Sequence, residues 1–194
     1  MLTDSFVVSA AVLVAALLVW HGAARGVPWR RVTLQILLVA YVAWVLSMTV
    51  FPVPLQGAGP LEKFASDLNH PNVVPARTLR ETLQLESVWQ RIRLVLGNIL
   101  VFVPLGVLLP VLSAHVRSWT RALLAGVAFS VSIELAQLAV SLAVGYWYRM
   151  PDVDDVLLNV AGVLLGYALF VMLDTPTFRS RWPSATRRRR PRSR

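Results

Sequence analysis

The stretch Tyr148–Gly166, YRMPDVDDVLLNVAGVLLG, places Asp152, Asp154, Asp155 and Asn159 at the mouth of a run that otherwise suits hydrocarbon. Such residues can cap a helix, bind a polar group or collect a hard cation. Asp152, directly after Pro151, has the features of an N-cap, and acids in the first turn complement the helix dipole. Capping accounts for Asp152 and Asp154. It does not require Asp155 and Asn159, which share a face with Asp152, Gly162 and Gly166. Three aspartates also suit Mg²⁺ or Ca²⁺, but their spacing is not that of a calcium loop. No cofactor is expected, a divalent cation at these aspartates being the one candidate. Arg149 is close enough in sequence to pair with an aspartate, for about 0–1 kcal/mol if exposed. Alternatively it could hold a phosphate or carboxylate through two parallel hydrogen bonds.

Glu134 is the strongest single signal, because it falls near the middle of another apolar run. A charged carboxylate at that depth costs about 2.5–3.5 kcal/mol on insertion scales, so ionisable residues inside spans are functional candidates. Ser130, Glu134, Gln137 and Ser141 share one helical face, and Gly126 and Gly145 extend that line as points of close helix approach. A third run, LGNILVFVPLG (Leu96–Gly106), contributes Asn98. Its Pro104 cannot donate to the Leu100 carbonyl, which is expected to be freed. Together these runs predict a polar pocket. Glu134 and Gln137 form its floor, Asn98, Asp155 and Asn159 line it, and Arg149 with Asp152 sits at its mouth. The plainer alternative is a network of interhelical hydrogen bonds, each contributing about 0.6 kcal/mol. His21, His70 and His115 form no ligand set, and no phosphate-binding glycine loop, zinc helix or serine-nucleophile motif occurs. No catalytic residue is assigned.

The elements that must position these residues are membrane helices. The chain has 194 residues, 56% of them hydrophobic, and a mean hydropathy of +0.61. Its long apolar runs, uncharged but for Glu134 in the fourth, predict five spans: Ser5–Trp20, Val32–Val50, Leu94–Leu112, Ala122–Val144 and Val156–Leu173. The fold class is therefore all-α, a polytopic membrane helix bundle. The first span is preceded by Asp4 and followed by Arg25, Arg30 and Arg31, the reverse of a signal peptide, so it reads as a retained helix. With five spans, thirteen of the 19 basic residues fall on one side: Arg25, Arg30, Arg31, Arg117, Arg121 and eight arginines of the tail. The positive-inside rule then predicts a multi-pass protein of the cell membrane, N-terminus outside and C-terminus cytoplasmic. The tail TRRRRPRSR (Thr186–Arg194) reads as an anchor to anionic lipid, at about 1 kcal/mol per basic residue, rather than as a nucleic-acid site. Absence of cysteine excludes disulfides and thiolate metal sites.

The longest loop runs from Phe51 to about Arg93 on the outer side and opens with Pro52, Pro54 and Pro60, which break any helix. Beyond Pro75, the helical spacing of Leu79, Leu83, Leu85, Val88, Trp89 and Ile92 predicts an interfacial amphipathic helix or a connector packed on the bundle. Residues 1–31 read as a first transmembrane helix and cytoplasmic loop, 32–173 as the membrane domain, and 174–194 as the cytoplasmic tail.

The motifs GNILVFVPLG, IELAQ and RMPDVDDVLLNVAGVLLG together resemble the VanZ-like membrane proteins. Asn98, Phe102, Pro104 and Gly106 carry the likeness in the third span, and Glu134 and Gln137 in the fourth. Arg149, Asp152, Asp154, Asp155, Asn159, Gly162 and Gly166 carry it around the fifth. The resemblance spans about Leu94–Tyr167 and extends loosely to VFPVP and NVVPARTL in the outer loop. It implies a polytopic bacterial envelope protein whose namesake is associated with resistance to teicoplanin, a glycopeptide with a lipid tail. It transfers no catalytic residue. The expected partners are membrane lipid and either a cell-wall precursor or a lipoglycopeptide, with no nucleic acid. The first expectation is a non-enzymatic protein binding a head group, precursor or lipidated glycopeptide. The alternatives are an intramembrane enzyme using Glu134 or Asp155 as general base, with or without a metal, on a lipid-linked substrate, and a transporter with Glu134 as proton relay.

Overall fold

In hydrocarbon each backbone N–H must be satisfied within its own segment or across a closed barrel, so long uncharged runs fold as helices. The computed structural model describes residues 4–51, 53 and 71–174. Its helices are α1 (Asp4–Arg25), α2 (Trp29–Thr49), α3 (Arg77–Leu83), α4 (Val88–Leu112), α5 (Trp119–Val144) and α6 (Val153–Leu173). A 3₁₀ turn, Ala114–Val116, joins α4 to α5. All but α3 are long and apolar enough to cross a membrane, and there is no strand among the described residues. The protein is an all-α polytopic bundle. Pro52, Pro54, Pro60, Lys63, His70 and the arginine tail lie outside the described residues.

The spanning helices run beyond their apolar stretches, because polar caps rather than hydropathy end them. Ser87 Oγ accepts the Gln90 N–H at the start of α4, and Ser118 Oγ accepts the Arg121 N–H at the start of α5. Hence α4 takes in Arg91 and Arg93. The same cap divides the region that sequence spacing reads as one amphipathic helix. Leu79 and Leu83 belong to α3, whereas Val88, Trp89 and Ile92 already belong to α4. Helix α3 packs on α4 and α6, as the connector reading expects.

The tightest packing joins α4 to α6. A Cβ on Gly162 would strike the Ile99 carbonyl oxygen, one on Gly166 that of Val103, and one on Gly106 that of Val163. Both rows repeat every four residues, so two backbones touch along a stripe with room for Cα–H···O contacts. Gly126 of α5 abuts the Val163 side chain, where an added Cβ would come within 3.2 Å. Gly145, which the same stripe enlists for packing, instead ends α5 in a left-handed conformation (φ 78°), its N–H bonded to the Ser141 carbonyl at 3.0 Å.

Around this seam Val45, Val50, Phe102, Leu105, Ile133 and Val163 form the main core, and Ala122, Tyr167 and Phe170 a second cluster near the start of α5. Tyr41 of α2 donates its hydroxyl to the Val101 carbonyl of α4 at 2.9 Å. This cross-helix donor serves the carbonyl next to Leu100, whose helical donor Pro104 lacks. Helix α1 packs on α2, with Gly22 against Val32, and exposes Phe6, Leu13, Leu17 and Trp20. Exposed apolar surface of this extent suits lipid rather than water.

Candidate functional site

Three helices and two connecting segments bring their polar residues to one end of the bundle. The antiparallel pairing of α5 and α6 fixes the register. Glu134 Oε2 accepts the backbone N–H of Asp152 at 2.9 Å, and Asn159 Nδ2 donates to Ser130 Oγ at 2.9 Å. Asn98 of α4 donates its Nδ2 to Asp155 Oδ1 at 2.5 Å. Asn98, Glu134, Asp152, Asp155 and Asn159 thus meet, as their shared faces predict.

The register also revises their relative depth. Glu134 lies ten residues before the end of α5 at Val144, about 15 Å along the axis. Residues 145–151 therefore return alongside α5 before α6 begins. Ser141 Oγ donates to the Arg149 carbonyl at 2.8 Å and accepts the Arg149 N–H at 3.3 Å, tying down this return. Glu134 consequently faces the start of α6, where backbone N–H groups lack intrahelical partners and the dipole favours an anion. The deepest polar pair is Ser130 with Asn159, one turn further in, rather than Glu134 with Gln137. Gln137 turns to α2, donating Nε2 to the Thr49 carbonyl at 2.9 Å. Arg149 reaches the same end of α2, with Nη2 3.4 Å from the Phe51 carbonyl and its guanidinium over the Tyr148 ring. It makes no ion pair with an aspartate among the described residues, where Arg77–Glu81 is the one ion pair.

The remaining aspartates hold the loop segment before α3. Asp152 caps α6, its Oδ1 accepting the Asp154 N–H at 2.8 Å, as its place after Pro151 predicts. The same oxygen accepts Asn72 Nδ2 at 2.8 Å. The backbones of Asn72 and Asp152 also pair, through Asn72 N–H to the Pro151 carbonyl and Val153 N–H to the Asn72 carbonyl, each 3.0 Å. Asp154, only 3% exposed, accepts the Ala76 N–H on Oδ1 at 2.5 Å and the Leu79 N–H on Oδ2 at 3.0 Å. It is thus the N-cap of α3, supplied from another helix. Ala76 cannot cap by its own side chain and has a φ of 64°, a conformation costing on the order of 1–3 kcal/mol outside glycine. Sequence reasoning misses Asn72 and the role of Asp154, because both depend on a contact between distant segments. The signal present is NVVPARTL, which contains Asn72, Ala76 and Leu79.

Chemically, the cluster is rich in acceptors. Glu134 is 8% exposed and Asn159 5%, whereas Asn98, Asp152 and Asp155 are half-buried and give the cluster an opening. Among the described residues, no three acidic or histidine side chains are grouped as a metal ion would require.

The family model described as VanZ/LLP1 matches residues 38–174, from within α2 to the end of α6 and across every residue of the cluster. The chain belongs to the VanZ/LLP1 family. Helix α1 lies outside the matched region of this VanZ-like protein, in keeping with its place at the edge of the bundle. Neither the curated proteins nor the solved structures compared with the chain gave a match.

Proposed function

We propose that this VanZ-like protein binds the polar head group of a lipid or lipid-linked envelope molecule at the cluster of Asn98, Glu134, Asp155 and Asn159. Arg149 and Asp152 flank its opening, with Gln137 fixing the neighbouring wall. The observation that carries this reading is the Oδ1 atom of Asn159, buried without a hydrogen-bond partner among the described residues and one helical turn along α6 from Asp155. Buried polar atoms are ordinarily paired, and one that is not calls for a partner. A lipid-linked ligand is favoured because the spanning helices put the site at one end of an apolar bundle, where a head group would sit while its chains remain in hydrocarbon. The basic residues Arg25, Arg30, Arg31, Arg117 and Arg121 lie in or beside the α1–α2 and α4–α5 connections, at the opposite end. The positive-inside rule puts that end in the cytoplasm, so the site opens outwards. Cell-wall precursors and lipidated glycopeptides both present polar groups on lipid tails at that surface. The second agrees with the resistance associated with the family's namesake.

Native mass spectrometry of the wild type and Asp155→Asn, purified in mild detergent, tests the reading. A lipid or precursor retained by the wild type and lost by the still-folded variant is expected. Equal retention by both, or none by either, would overturn it.

A further inference from the structure

We infer that the head group taken by this site carries a primary ammonium, bound between Glu134, Asp155 and Asn159. The inference rests on the proposed function and specifies its ligand. The first observation is charge. Glu134, Asp152 and Asp155 come together with no ion-paired lysine or arginine among the described residues. The nearest cation in sequence, Arg149, directs Nη2 to the Phe51 carbonyl and its guanidinium to the Tyr148 ring, while its buried Nε has no partner among the described residues. Carboxylates withdrawn from water need compensation by opposite charge or hydrogen-bond donors.

The second observation is independent of charge. Asn159 is 5% exposed, donates to Ser130, and leaves Oδ1 with no donor. It lies one helical turn below Asp155 on α6, and Ser130 lies one turn before Glu134 on α5. The unused acceptor therefore belongs to the layer of the bundle one helical turn from the two carboxylates. Each carboxylate has one oxygen engaged by the protein: Glu134 Oε2 by Asp152, and Asp155 Oδ1 by Asn98. Among the described residues, no donor is bonded to Glu134 Oε1 or Asp155 Oδ2. The site thus offers three acceptors, two of them on anions.

An ammonium presents three N–H donors and one positive charge. It matches this set in number and sign. A bare divalent ion would need the acids grouped as a cage, and they are not so grouped. A quaternary ammonium has the charge but no N–H for Asn159. A phosphate alone would meet carboxylates and be repelled.

The test uses the full chain in lipid nanodiscs, with four probes at equal mole fraction: phosphatidylethanolamine, its N-acetyl derivative, phosphatidylcholine and phosphatidylglycerol. Bound lipid is read by native mass spectrometry. Loss of charge-assisted hydrogen bonds predicts that the free amine is retained roughly tenfold or more over the other three. Glu134→Gln and Asp155→Asn should each abolish that preference. The blocked-amine probe isolates the amine on the wild type alone, so the result does not depend on a variant folding. Equal retention of phosphatidylethanolamine and its N-acetyl derivative would overturn the ammonium while leaving head-group binding standing. Retention of no lipid would overturn both readings. Full displacement by soluble ethanolamine would sustain the ammonium and overturn the lipid-linked source. Retention of Mg²⁺ or Ca²⁺ in place of lipid would overturn the ammonium.

Discussion

Asp154 accepts hydrogen bonds from backbone amides 78 and 75 residues earlier in the chain, Ala76 and Leu79. A buried carboxylate is costly unless donors satisfy it, and two half-buried amides at a helix start lack intrahelical acceptors, so each meets the other's need. This exchange holds Ala76 in its left-handed conformation and starts α3. Asp154→Ala leaves both amides without their acceptor and should cost about 1–3 kcal/mol. Hydrogen exchange read residue by residue should show faster exchange at Ala76–Leu83, with the middle of α5 unchanged. Equal protection in variant and wild type would mean that α3 does not depend on this carboxylate. Asp155, the next residue, faces Asn98 instead. Neighbouring aspartates therefore have separate tasks, which follow from the roughly 100° between successive helical residues.

At the scale of elements, the seam between α4 and α6 positions the cluster. Ile99, which touches Gly162, is the residue next to Asn98, and Gly162 follows Asp155 by about two turns of α6. Any side chain that separates the two backbones also separates the two polar partners. Gly166→Ala or Gly162→Ala forces a Cβ into a carbonyl oxygen, and overpacking of this kind costs about 1–3 kcal/mol or more. Gly97→Ala on α4 is the control, since its Cβ would meet nothing within 4 Å. There, removing glycine from a helix interior should be neutral or stabilising by up to about 1 kcal/mol. Thermal unfolding in detergent should place Gly162→Ala and Gly166→Ala below the wild type and Gly97→Ala at or above it. Equal loss in all three would show that helix propensity, not close approach, governs the seam.

Across the whole molecule, the five spanning helices separate two ends of different character. One carries the aspartates, α3 and the return segment 145–151. The other carries the α1–α2 and α4–α5 connections with their arginines. Because the chain has no cysteine, single cysteines report orientation cleanly. Glu86→Cys, before the start of α4 at the same end of the bundle as the candidate site, should react with a membrane-impermeant maleimide in intact cells. His115→Cys, in the α4–α5 connection, should react only after permeabilisation. The opposite pattern would place the site in the cytoplasm and remove an extracellular ligand from consideration.

Sequence alone determined the helical class, the five spans and the polar faces of α4, α5 and α6, because each depends on composition or on a local period of 3.6 residues. It also marked Asp152 as a cap, since a cap depends only on its own helix terminus. Tertiary structure alone decided which faces meet and at what height. The depth of Glu134 followed from the return of residues 145–151 along α5, a path set by Ser141 and Arg149 rather than by hydropathy. The turn of Gln137 towards Thr49 depended on where α2 ends. The bonds of Asn72 to Asp152 and of Asp154 to α3 join segments more than seventy residues apart. No local pattern encodes such contacts, because they form only when packing of the apolar helices has brought both segments to the same end of the bundle.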